Sequence, residues 1–222
     1  MLKAVLFDMD GVLIDSEPAW ENVEMKLAAQ LNIPLTEELQ KRYTGVHHSV
    51  MWNDLKSIFN YREKVLTMVN LESCLMAEYY KHGNLLPIIP TLELIKELRV
   101  NKIDCAVATS NDRSNAEFVA KRLGLAQYIS AIVSSSDVDK CKPAPDIFLA
   151  AAGRLGRSPH ECLVVEDSHS GCVAAKAAGM KVVGYKNPNS GSQDLSLADK
   201  IVMDMNELNP ELLIRLNCKT SY

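Results

Sequence analysis

Two carboxylates, Asp8 and Asp10, stand two residues apart at the end of the apolar run Ala4-Val-Leu-Phe7, and Gly11 follows at once. Residues i and i+2 of a strand project to one face. Strand geometry carried through Asp10 would therefore aim both acids at one point. Like charges held that close require a bound cation, a shared proton or a covalent reaction at one of them. Three more polar groups end or follow apolar runs: Thr109-Ser110-Asn111, Glu166-Asp167, and Lys142 in the loop Cys141-Lys-Pro-Ala-Pro-Asp146. This mix has a chemical logic. Carboxylates are hard oxygen ligands suited to Mg²⁺. An ammonium and a hydroxyl neutralise a second anionic oxygen. One carboxylate remains to attack phosphorus, and another, two residues on, to exchange a proton with the leaving group. Phosphoryl transfer depends mainly on positioning and charge neutralisation, and this set supplies both.

The elements that must position these groups are legible in the periodicity. Short β-branched runs at Ala4–Phe7, Ile103–Thr109, Ala131–Ser134, Glu161–Val165 and Lys181–Tyr185 read as strands buried on both faces. Helical patterns lie between them at Leu92–Arg99, Asn115–Leu123, Ile147–Leu155 and Ser170–Ala178, the last closing at Gly179. Alternation of this kind predicts an α/β fold: a doubly wound parallel sheet, Rossmann-like, with helices on both faces. Polar residues at the strand C-termini then meet along one edge, where open α/β sheets place their ligands. Residues 16–86 break the rhythm. They contain no convincing strand and read as four helices, Glu17–Leu31, Glu37–Tyr43, Val50–Phe59 and Glu63–Tyr80. We expect an all-helical cap at 16–86, inserted directly after the first strand into a core formed by 1–15 and 87–222.

The bulk numbers bound the function. At 222 residues the chain can bury a full core. A net charge of -4 argues against a nucleic-acid backbone or an anionic membrane as main partner. The six cysteines are scattered without a C-x-x-C pair and read as reduced structural thiols of a cytoplasmic protein. Asp8 and Asp10 interrupt any signal-peptide core, and no run approaches the roughly 18 apolar residues of a membrane span. Monomer is the default expectation.

Four motifs in order give the chain a family resemblance: Asp8-x-Asp10-Gly11-Val-Leu-Ile-Asp15-Ser16-Glu17; Ala108-Thr109-Ser110-Asn111; Lys142-Pro-Ala-Pro-Asp146; and Glu166-Asp167-Ser168-x-x-Gly171. The sequence resembles haloacid dehalogenase-superfamily phosphatases with a helical cap after the first strand, and most of all the subgroup of sugar-phosphate phosphatases and β-phosphoglucomutase. The resemblance implies a small phosphorylated metabolite as substrate and Mg²⁺ as cofactor. It implies that Asp8 is the nucleophile and forms an aspartyl-phosphate, and that Asp10 is the acid/base. Thr109, with Ser110 and Asn111, would hold the phosphoryl group, and Lys142 would balance its charge. The metal would be held by Asp8, the Asp10 carbonyl, Asp167 and Glu166, directly or through water. Gly11 would permit a sharp turn, and Asp15 and Ser16 would be hinge residues.

In the cap, Trp20, Tyr43, His47, His48, Met51 and Trp52 are the residues expected to face substrate. Gly45-Val46-His47-His48 reads as a break between cap helices, and the resemblance implies that this loop reaches toward the site. The leading expectation is a Mg²⁺-dependent phosphatase of sugar phosphates. The alternative is a phosphomutase of the β-phosphoglucomutase type, which must hold a second phosphate with cap cations. Its arginine after the cap Gly-Val-x is replaced here by His48, and the histidine of its first cap helix by Trp20. Dehalogenase relatives lack the acid at the Asp10 position, and a phosphonatase needs a cap lysine that is not evident. A phospho-accepting signalling module is a remote alternative. Receiver domains share the acid, Thr/Ser and Lys set but are shorter and lack the helical insert.

Overall fold

The computed structural model describes residues 1–44, 46 and 48–218. Among them, six strands form one parallel sheet in the order β3-β2-β1-β4-β5-β6. The strands are β1 (Ala4–Phe7), β2 (Asp104–Ala108), β3 (Ala131–Val133), β4 (Cys162–Glu166), β5 (Lys181–Tyr185) and β6 (Lys200–Val202). Five follow the expected runs closely. The sixth, Lys-Ile-Val at the sheet edge, is too short and too polar at its start to announce itself. The final helix, Pro210–Cys218, likewise lay beyond the reading of the sequence.

Alternation along the strands divides the core in two. Val5, Phe7, Cys105, Val107, Leu163 and Val165 face one side, where they pack with helices α5 (Ile89–Val100), α6 (Arg113–Arg122) and α9 (Pro210–Cys218). Ala4, Leu6, Ala106, Ala108, Cys162 and Val164 face the other, against α7 (Asp146–Arg154) and α8 (His169–Ala177). Both faces are covered, which is why the strands read as continuous apolar runs rather than alternating ones.

β1 lies at the centre, between β2 and β4, where the strand order reverses. Phe7 pairs with Val107 on one side and Val165 on the other. Asp8, Ala108 and Glu166 therefore come level at the C-terminal edge, the position that topology favours for ligands.

The segment after β1 contains α1 (Glu17–Gln30), α2 (Glu37–Gln40), α3 (His48–Phe59) and α4 (Val65–His82). It has its own apolar cluster, with Leu27, Met51, Trp52, Leu55 and Met68 fully buried. Its two connections to the sheet run side by side: Asp15 donates its N–H to the Leu86 carbonyl at 2.8 Å, and Ile14 bridges Pro87. At the far end of α4, Arg122 of α6 donates to the carbonyls of Tyr80 at 3.0 Å and Gly83 at 2.6 Å. A guanidinium here satisfies the open carbonyls of a helix C-terminus and complements its negative end. Arg122→Ala should lower stability by about 1–2 kcal/mol in urea unfolding, with the early part of the transition reported by the Trp20 and Trp52 fluorescence.

Candidate active site

Strand geometry stops at Phe7, and this corrects the first expectation about the acid pair. The chain turns after Met9, and the isolated bridge Asp10–Ile14 closes a tight loop. The carboxylates consequently meet different partners. Asp8 accepts from Lys142 Nζ at 2.5 Å. Asp10 faces the cap side, where Tyr80 Oη donates to Oδ1 at 2.9 Å and Asn111 Nδ2 to Oδ2 at 3.0 Å. Asn111 also donates to Tyr80 Oη at 2.9 Å. The structure thus ties the Asn111 side chain to Asp10, while its backbone N–H stays beside Thr109.

Gly11 makes this loop. Its φ is +78°, and an added Cβ would lie 1.8 Å from Asp167 Oδ2. Both the left-handed backbone and the close approach demand glycine. Gly171 plays a matching part in α8, where a Cβ would fall 1.9 Å from the Glu166 carboxylate.

Lys142 is the centre of charge. Its side chain is 5% exposed, and Nζ reaches Asp8, Glu166 Oε1 at 2.6 Å and the Ala108 carbonyl at 3.0 Å. Burial alone would depress its pKa, but the two carboxylates outweigh that and raise it. Glu166 Oε2 accepts three further donors, the N–H groups of Asp167 and Ser168 and the Ser168 hydroxyl. Asp167 is buried and accepts from the Ser190 hydroxyl. Burial pushes Asp8 up to about 7, with Lys142 opposing and Glu166 and Asp10 adding to the rise. Burial also lifts Asp167 well above the usual carboxylate range, reinforced by Glu166 and Asp8.

The donor set fits a hard divalent cation. Oxygens of Asp8, Glu166 and Asp167 lie within 4.8 Å of one another, and all three residues are buried. A single ammonium faces three acids, so with all three ionised the cluster would carry more negative charge than the protein neutralises. Carboxylate oxygens in that state suit Mg²⁺.

Several of the remaining expected residues lie around one cavity of about 590 Å³ between the sheet edge and the cap helices. Thr109 is buried at its rim, its Oγ1 accepting from the Asn111 N–H at 3.1 Å. Ser110, Trp20, Tyr43 and His48 line it. Trp20 packs against His48 with ring centroids 4.2 Å apart and the planes tilted by 31°. Met51 and Trp52 do not line it: both are buried in the cap core, where the α3 periodicity puts them. Gly45 and His47 lie outside the described residues.

Sequence reasoning missed Tyr80, Ser190 and Asn187, whose side-chain amide donates to the Gly11 carbonyl at 3.0 Å. No motif signals them, because each comes from a distant segment. It also missed the buried acids of the cap. His48 Nδ1 lies 3.2 Å from Glu24 Oε1 and 3.1 Å from Glu72 Oε1. Burial opposes protonation of His48, but these two carboxylates prevail and raise its pKa to about 10.

A haloacid dehalogenase-like hydrolase family model matches residues 2–179. The chain is 30% identical over 227 residues to β-phosphoglucomutase of Bacillus subtilis (strain 168), covering 96% of this chain and 94% of that one. It is 30% identical over 192 residues to the fructose-1-phosphate phosphatase YqaB of Escherichia coli (strain K12), covering 82% and 95%. A solved haloacid dehalogenase-like protein of unknown function from Agrobacterium tumefaciens superposes with a TM-score of 0.80 at 26% identity, covering 97% and 99%. The chain belongs to the haloacid dehalogenase-like hydrolases, and it is an enzyme.

Two outcomes follow from this geometry. Gly11→Ala should leave the circular dichroism spectrum intact and cut turnover of p-nitrophenyl phosphate by about 100-fold, since Asp167 must move. His48 has a folded pKa of about 10 against an unfolded 6.5, so its stabilisation is complete below pH 6.5 and is lost as pH rises through 10. Urea midpoints measured from pH 6.5 to 10.5 should fall in the wild type, and that fall should be smaller in His48→Gln.

Proposed function

We propose that the protein is a Mg²⁺-dependent phosphatase that hydrolyses phosphate monoesters of small metabolites, sugar phosphates foremost, through an aspartyl-phosphate on Asp8. The observation that carries this reading is the divergence of the two acids. Asp8 is gripped by Lys142 beside the carboxylate cluster, while Asp10 is turned toward the cap, where a leaving group would sit. Residues 1–15 and 87–222 would act as the catalytic core and 16–86 as a cap.

In the first step an Asp8 oxygen attacks phosphorus and the ester oxygen departs. Asp10, oriented by Tyr80 and Asn111, gives that oxygen its proton. In the second step Asp10 takes a proton from water, which attacks the acyl-phosphate and frees Asp8. Thr109, with Ser110, holds the transferring group, and Lys142 offsets its charge together with that of Asp8. Mg²⁺, when bound, would neutralise phosphate oxygens; Asp8, the Asp10 carbonyl and Asp167 would hold it. Both Glu166 oxygens are already engaged, which favours contact through water for that residue. The likeness to a β-phosphoglucomutase along 96% of the chain keeps a phosphomutase as the second reading.

Hydrolysis of p-nitrophenyl phosphate should require Mg²⁺, stop with EDTA and fall by about 10⁴-fold or more in Asp8→Asn. In Asp10→Asn the good leaving group needs no proton, so one equivalent of nitrophenolate should appear in a burst before turnover stalls. Steady turnover by Asp8→Asn would overturn the assignment. Conversion of β-glucose 1-phosphate to glucose 6-phosphate without phosphate release would establish the mutase instead.

A further inference from the structure

The cavity has two halves of opposite character. Its sheet half holds the phosphate machinery. Its cap half is lined by Glu17, Trp20, Glu24, Gln40 and His48, among others. Among the described lining residues the basic side chains are His48 and Lys142. Lys142 is bound to Asp8 and Glu166. His48 faces two acids with one nitrogen, and those acids are themselves fixed. Gln40 Nε2 donates to Glu24 Oε2 at 2.8 Å, and Trp52 Nε1 donates to Glu72 Oε2 at 3.1 Å. Both glutamates are buried, Glu24 at 4% and Glu72 at 1% exposure.

The cap's positive charge is therefore countered twice over. Glu17 adds a further acid to the same wall, its pKa raised to about 7 by burial and by neighbouring Glu24. An anionic group carried by the substrate beyond its reacting phosphate would meet carboxylates there, and like charges at close range are costly in a partly desolvated cavity. The same wall suits hydroxyls. Gln40 Oε1 is buried without a hydrogen-bond partner, so it is an acceptor in need of a donor. The Trp20 ring, packed at a tilt against His48, offers an aromatic surface for the C–H side of a sugar.

We infer that the Glu24–His48–Glu72 cluster is a charge filter, selecting monophosphates of uncharged polyhydroxy compounds and rejecting bisphosphates and phosphorylated carboxylic acids. This inference rests on the phosphatase reading and names its substrate class. Glu72 acts as a positioning residue: it does not line the cavity and works through His48. A phosphomutase that holds a second phosphate in its cap would find no uncommitted cation among these residues.

The test compares kcat/KM of the full-length Mg²⁺-loaded enzyme for fructose 1-phosphate, glycerol 3-phosphate, fructose 1,6-bisphosphate and phosphoglycolate, with p-nitrophenyl phosphate as the control. Both polyol monophosphates should exceed the bisphosphate and phosphoglycolate by about tenfold or more. Glu72→Gln keeps an acceptor for Trp52 and removes one charge, so it should narrow the gap by about threefold or more, through a lower KM for the bisphosphate. A bisphosphate or phosphoglycolate turned over as well as the monophosphates overturns the filter, as does a folded Glu72→Gln with an unchanged ratio. If that variant does not fold, the wild-type ranking decides. Failure to hydrolyse any of the five, p-nitrophenyl phosphate included, defeats the phosphatase reading itself and is distinct from a wrong ranking.

Discussion

One buried ammonium holds the C-terminal edge of this sheet together. Lys142 bonds Asp8 at the end of β1 and Glu166 at the end of β4, and its third contact is the Ala108 carbonyl of β2. Three adjacent strands thus converge on one cation. Removing one partner of such a buried pair typically costs about 3–5 kcal/mol, because the other charge is left stranded. The glycines nearby obey the same constraint. Gly11 lets Asp167 approach and Gly171 makes room for Glu166, so the carboxylates crowd together only because side chains are missing beside them. The crowding places three carboxylates against one ammonium, a donor set that suits a hard divalent cation.

The helical segment is joined to that edge by more than its two connections. Tyr80, near the end of α4, reaches Asp10, and Arg122 of α6 holds the carbonyl of the same tyrosine. The Asp10 carboxylate is therefore oriented by one residue from the inserted helices and one, Asn111, from the loop after β2. Gly191 provides another contact, approaching the Thr44 carbonyl so closely that a Cβ would lie 2.6 Å away. The setting of Asp10 is thus assembled from both parts of the fold, and its geometry depends on how they meet.

Much was legible in the order of residues because the signals are local. An apolar run with a polar end is a buried strand whose tip faces ligand, and β1 and β5 fall on the residues read as strands. Register then follows from parallel pairing, which brings Asp8 and Glu166 level without any further information. Where local pattern was weak the reading failed: β6 is three residues at an edge. The first cap helix was read as a helix, but not the burial of Glu24 on it beside Leu27. A buried glutamate reads in sequence as a solvated one; only a partner such as His48 or Gln40 reveals otherwise.

The sequence by itself determined the α/β architecture, the place of the insertion and the four motifs that meet at the sheet edge, since periodicity and spacing act over short stretches of chain. The tertiary structure alone decided which way each acid points. Asp8 and Asp10 are two residues apart, yet the turn closed by Gly11 sends one to Lys142 and the other to Tyr80. It also decided the character of the cap wall, for Glu24, His48 and Glu72 belong to three helices and become one cluster only when those helices pack. Contacts between residues far apart in the chain leave no periodic trace, so their chemistry appears only once the chain has folded.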